Sequence, residues 1–128
     1  MDTIEKFPDV YASDCPTRQV LDLIADKWST LIINLLKPGP LRFANMQRQI
    51  RGISQKMLTQ TLRELERDGL VKRTVYAQVP PRVEYELTAL GQTLVELITP
   101  IIQWSENNIT AIQAAQETYD RQNASLAS

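Results

Sequence analysis

Residues 54–69 read SQKMLTQTLRELERDG, and the rest of the chain is interpreted outward from them. Ser54 is of the type whose hydroxyl accepts from a free N–H at a helix start, which places it as an N-cap. Met57, Leu58, Leu62 and Leu65 then recur on one helical face, and Gly69 supplies the stop. The opposite face presents Gln55, Lys56, Thr59, Gln60, Arg63 and Arg67. Such a helix packs its leucines inward and holds a row of donors and acceptors toward a partner.

Upstream, Phe43, Met46 and Ile50 define a shorter helix near 43–50, closed by a tight break at Arg51-Gly52. Before that, Pro16 suits a first helical position, with Cys15 as its N-cap, and Val20, Leu21, Leu23 and Ile24 give an apolar face up to about Asp26. Trp28, Leu31, Ile32, Leu35 and Leu36 continue until Lys37-Pro38-Gly39-Pro40 ends that helix. Downstream of Gly69 the period changes to alternation over 70–77 and again over 83–87, with Val79-Pro80-Pro81-Arg82 between them, which reads as a β-hairpin. Thr88 is placed as the cap of a last helix carrying Leu90, Leu94, Leu97, Ile98, Ile101, Trp104, Ile109 and Ile112.

The fold class is therefore mainly α with a small β-hairpin (α+β). Two helices, a tight turn and a hairpin in this order are the layout of a winged helix-turn-helix, in which the second helix enters the major groove and the hairpin wing lies beside it. Residues 1–14 read as an N-terminal arm, 15–117 as the winged domain with its dimerisation helices, and 118–128 as a polar, frayed tail.

Composition agrees. The 128 residues, 43% hydrophobic and 23% charged, are those of one globular domain, with no apolar run near the roughly 20 residues of a membrane span. The N-terminal residues lack the plan of a signal peptide and Cys15 is the one cysteine, which together point to the cytoplasm. There is no histidine, which removes the commonest general base and metal ligand; no enzyme chemistry, metal or cofactor is expected. Glu84 and Glu86 merely share a strand face, and Ser29-Thr30 has no base beside it. Arg18, Lys27 and Lys37 read as solvated charges, and Trp28, Trp104 and Tyr119 as core or interface.

A net charge of −1 hides an asymmetry. From Arg42 through Arg82 nine basic residues face three acidic ones, a net of +6, whereas the remainder carries −7. One basic surface on an acidic body suits a face that meets phosphates. The expected DNA-binding set is Arg42, Arg51, Ser54, Gln55, Lys56, Thr59, Gln60, Arg63, Arg67, Lys72, Arg73 and Arg82. Within it the Ser54 helix reads bases, while Lys72, Arg73 and Arg82 of the wing touch phosphates. Leu94, Ile98, Ile101, Trp104 and Ile109 exceed what one small core needs and are assigned to a homodimer interface.

Several segments resemble one family in order and spacing. They are Cys15-Pro16, Leu23-Ile24-Ala25-Asp26-Lys27-Trp28, Leu41-Arg42-Phe43, Ile50-Arg51-Gly52-Ile53-Ser54, Asp68-Gly69-Leu70-Val71, Pro81-Arg82-Val83-Glu84-Tyr85 and Leu87-Thr88 with Gly91. The chain resembles the HxlR-type winged-helix regulators over roughly residues 15 to 105, departing where Ala25-Asp26 replaces the usual Gly-Gly. The resemblance implies a bacterial, cytoplasmic, dimeric regulator of double-stranded DNA, most often a repressor. In some members the N-terminal cysteine, here Cys15, senses oxidants or electrophiles. A thiol at a helix N-terminus with Arg18 one turn on favours thiolate, and Asp14 opposes it. Two other readings stay open: a winged-helix module that binds protein rather than DNA, and a DNA-binding regulator governed by a non-covalent small ligand.

Overall fold

A computed structural model describes residues 9–127, with side chains described through residue 124. The elements in order are α1 (Thr17–Ala25), α2 (Lys27–Leu35), β1 (Leu41–Arg42), α3 (Phe43–Gln49), α4 (Gln55–Arg67), β2 (Val71–Tyr76), β3 (Arg82–Leu87) and α5 (Ala89–Ala127). The residues through Ile98 form one compact unit and those from Thr99 a second. Among the described residues no helix is long and apolar enough to cross a membrane. Residues 1–8, most of the expected arm, lie outside the described residues.

The core of the first unit is built from the apolar faces read in the sequence. Ile32, Ile33 and Leu36 of the α2 segment, Met46 of α3, Leu58, Leu62 and Leu65 of α4, and Val71 of β2 are all fully buried or nearly so. One position on α4 differs from the sequence reading. Met57 is exposed and Thr61 takes the inward place, its hydroxyl satisfied by donating to the Met57 carbonyl at 2.8 Å. Val20 and Leu21 are also half-exposed, and α1 buries no residue completely.

The ends of α4 form as their residues dictate. Ser54 Oγ accepts from the Met57 N–H at 3.0 Å. At the other end Gly69, at φ +77°, donates to Glu66 O (3.1 Å) and Leu70 donates to Leu65 O (3.0 Å), the paired bonds of a Schellman stop. Ser54→Ala is expected to cost about 1 kcal/mol of stability, measured by urea unfolding, by removing the partner of one orphan N–H.

α1 and α2 are joined by Asp26 alone. Its N–H closes α1 on Asp22 O and Leu23 O, while its carboxylate accepts from Trp28 N (3.4 Å) and Ser29 Oγ (2.9 Å) to open α2. Thr30 Oγ1 reaches back to Ile24 O at 2.8 Å.

The sheet has the order β1-β3-β2, with both pairings antiparallel. The two-residue β1 has no counterpart among the elements read from the sequence, because so short a strand shows no alternation. It pairs Leu41 with Tyr85 and Arg42 with Glu84. Thr88 then ties the end of α4 to the start of α5: its hydroxyl donates to Gly69 O (2.6 Å) and accepts from Gly91 N (3.1 Å), and its N–H donates to Leu70 O (3.0 Å). The stretch from Thr118, read from its polarity as a frayed tail, is helical through Ala127. Gln, Glu and Ala are good helix formers, so low hydrophobicity does not end a helix there.

Candidate nucleic-acid interface

α4 carries the site. Gln55, Lys56, Thr59, Gln60 and Arg63, with Glu64, line one open concavity along its outer face. All but Thr59, which is half-buried, are exposed. The Ser54 hydroxyl, placed in the same set, is occupied as the cap acceptor, so its contribution is to hold the start of the helix. Arg51 stands exposed in the turn before it, next to Gly52, whose φ of +90° lets the chain reverse between α3 and α4. Arg67 does not join the others. It lies in a separate recess with Gln19, Asp22, Leu23 and Asp26 of the α1 side and with Asp68, because it shares the helical face of the others but stands a turn farther along, at the end of α4 that adjoins α1.

The sheet divides the cations that the sequence grouped as one set. Directly opposed residues of an antiparallel pair share a face. Arg73 opposes Tyr85 and stands on the face toward α4, in a recess with Thr59, Leu62, Arg63 and Glu66. Its Nε is 3.6 Å from Glu66 Oε1. Lys72 opposes Glu86, Arg42 opposes Glu84 and Arg82 opposes Tyr76, all on the other face. Arg82 lies 4.2 Å over the Tyr76 ring and 3.5 Å from Glu84 Oε2. Including Glu84 and Glu86, the stretch from Arg42 has nine basic and five acidic residues, a net of +4. The basic surface is therefore narrower than the linear count implied: Lys56 and Arg63 of α4 share a side with Arg73, while Arg42, Lys72 and Arg82 lie on the other face of the sheet. Burial raises the Tyr85 hydroxyl above its ordinary pKa, with Arg73 working against it.

Cys15 differs most from its sequence reading. The helix begins at Thr17 with Pro16 in the capping position and no side-chain cap, so Cys15 is one residue too early to be the N-cap. It is buried, at 8% exposure, beneath a turn in which Ala12 N bonds Asp9 O (3.0 Å) and Cys15 N bonds Ala12 O (3.1 Å). The expected partial exposure does not hold, because residues 9–14 fold back over the thiol. The thiol is nonetheless held below its ordinary pKa, chiefly by a hydrogen bond with the Thr17 side chain. Burial opposes this, and backbone groups of Thr17, Asp9 and Arg18 add to it. The sequence pointed to the charge of Arg18; the hydroxyl two residues on was the overlooked signal.

Of the residues assigned to a dimer face, Ile98 is fully buried and is withdrawn from that face. Leu94 is half-buried. Leu90 and Leu97 (63% exposed), not in the set, stand out instead. In the second unit Ile101, Trp104 (59% exposed), Ile109 and Tyr119 are exposed.

The family model for HxlR-like helix-turn-helix proteins matches residues 23–113. The HTH-type transcriptional regulator YtfH of Escherichia coli is 39% identical over 109 residues, covering 85% of this chain and 86% of that protein. Among solved structures, the transcriptional regulator ytfH from Salmonella typhimurium superposes with a TM-score of 0.81 at 38% identity, over 87% of this chain and 99% of that one. The redox regulator HypR in its oxidised form gives a TM-score of 0.69 at 45% identity, over 73% and 97%. With the fold and its helix-turn-helix in agreement, the chain belongs to the HxlR-like family and is a helix-turn-helix transcriptional regulator.

Proposed function

We propose that this protein is a sequence-specific duplex-DNA-binding regulator, working in the cytoplasm as a homodimeric repressor on an inverted repeat. The observation that carries the reading is the outer face of α4, where Gln55, Lys56, Thr59, Gln60 and Arg63 stand together in one open concavity. Gln offers the bidentate donor and acceptor that fit adenine, Arg and Lys fit guanine or phosphate, and the Thr59 methyl fits thymine. Arg51 and Arg73, at the two edges of this face, are phosphate contacts. The exposed apolar side chains of α1 (Val20, Leu21) and of the α5 segments in each unit supply the surface for a second copy. A two-fold axis would place the two readers about 34 Å apart, one helical turn of DNA. Footprinting upstream of the protein's own gene tests this. An inverted repeat should be protected, with affinity falling steeply between about 50 and 200 mM salt. No protection at low salt, or a monomeric mass by light scattering at micromolar concentration, overturns it.

Cys15 is the proposed point of control. The redox role that HypR carries in its name supports this, as does the lowered pKa of Cys15 here. Because the folded thiol ionises below its ordinary value, alkylation by iodoacetamide is expected to reach half its maximal rate at a pH below that of a free cysteine. Thr17→Ala should move that midpoint upward. Burial makes the plateau rate slower than for an exposed thiol, since residues 9–14 must first open. Quinone or diamide should change operator binding of the wild type and leave Cys15→Ser unaffected; identical responses of the two proteins remove Cys15 as the sensor.

A further inference from the structure

We infer that Arg82 is a positioning residue that clamps the end of the wing, not a phosphate contact; its consequence for DNA rests on the reading proposed above. Arg82 and Tyr76 are the last directly opposed pair of the β2–β3 ladder. The guanidinium lies 4.2 Å over the Tyr76 ring, and its Nε is within ion-pair range of Glu84 at 3.5 Å. That nitrogen is buried and makes no hydrogen bond. The charge is thus held between a ring and a carboxylate, on the sheet face opposite to the one that meets α4. Phosphate would have to draw it away from both.

The position explains what such a clamp is for. β1 reaches only Glu84 and Tyr85, so beyond them the wing is a two-stranded ribbon, a form with little stability of its own. Past Tyr76 and Arg82 the chain crosses residues 77–81 (AQVPP), which carry no charge and expose Val79 at 98%. An aromatic–cation pair at the final rung fixes the twist of the ribbon and so the place at which that uncharged tip stands.

The test uses the whole protein, first without DNA. Arg82→Ala and Tyr76→Leu should each raise amide exchange in residues 74–78 and 82–83 by about tenfold, with the rest of the chain unchanged, since either loss opens the same last rung. Arg82→Lys, which keeps a cation over the ring, should restore most of the protection. On the footprinted site, both Arg82→Ala and Tyr76→Leu should weaken binding by a similar, about fivefold, factor and leave the slope of log K against log salt as in the wild type. A slope reduced by about 0.9 in Arg82→Ala, with Tyr76→Leu binding normally, would make Arg82 a phosphate contact. Unchanged wing exchange in both variants would equally overturn the clamp. Failure of the wild type to bind any DNA sinks the proposed function instead, while the exchange data still decide the clamp.

Discussion

Gly91→Ala is expected to destabilise the protein by about 3 kcal/mol, the upper part of the range for forced overpacking, and to lower Tm by roughly 10 °C. A Cβ built at Gly91 would lie 2.2 Å from the Leu70 carbonyl oxygen, and 3.2 Å from Leu70 C and from Leu87 Cδ2. The closest of these is backbone, and it cannot swing aside, because the Leu70 carbonyl also accepts the Thr88 N–H at 3.0 Å. Helix propensity alone gives the opposite sign: replacing a helical glycine by alanine should stabilise by about 1 kcal/mol. The direction of the change therefore decides between the two effects. Chemical unfolding monitored by far-UV circular dichroism measures it, and a variant as stable as the wild type would show that α5 does not approach Leu70 this closely.

The second large effect concerns recognition. Gln55→Ala and Arg63→Ala should each cost about 1–3 kcal/mol on the specific site, with a smaller loss on random DNA, because a bidentate base contact discriminates as well as binds. Arg73→Ala, which removes a backbone contact, should weaken both DNAs alike and reduce the salt slope by about 0.9. Fluorescence anisotropy on a specific and a scrambled duplex separates the two patterns. Equal affinity of all three variants and the wild type for the specific site would remove α4 from the interface.

The helices were legible because their signals are local and strong. Ser54 and Gly69 bracket α4 by chemistry that needs no partner, and Leu58, Leu62 and Leu65 point inward as their spacing requires. What was not legible depends on pairing across the chain. The sheet sends Arg73 one way and Lys72 with Arg82 the other, and alternation in β2 foretold two faces without saying which would meet α4. β1 is visible only through β3. Arg67 and Ile98 had suitable chemistry for the roles assigned, but their surroundings, an acid-lined recess beside α1 and a closed core, are set by other elements. Cys15 shows the limit most sharply: the turn of residues 9–14 that covers the thiol leaves no periodic or capping signal in the sequence.

Asp26 gives the joint between α1 and α2 an unusual mechanical character. A loop of several residues stores slack, and a push on one helix is absorbed before the next one feels it. Here a single residue ends one helix with its N–H and starts the other with its carboxylate, and Thr30 staples the corner shut from the far side. The two helices act as one bent lever. The thiol lies just beyond its outer end, and its inner arm, through Ile32 and Ile33, is embedded in the packing behind α4. On the function proposed above, a disturbance that opens the turn over Cys15 would find no slack between α1 and α2, and would reach the packing behind α4 as a tilt of that arm.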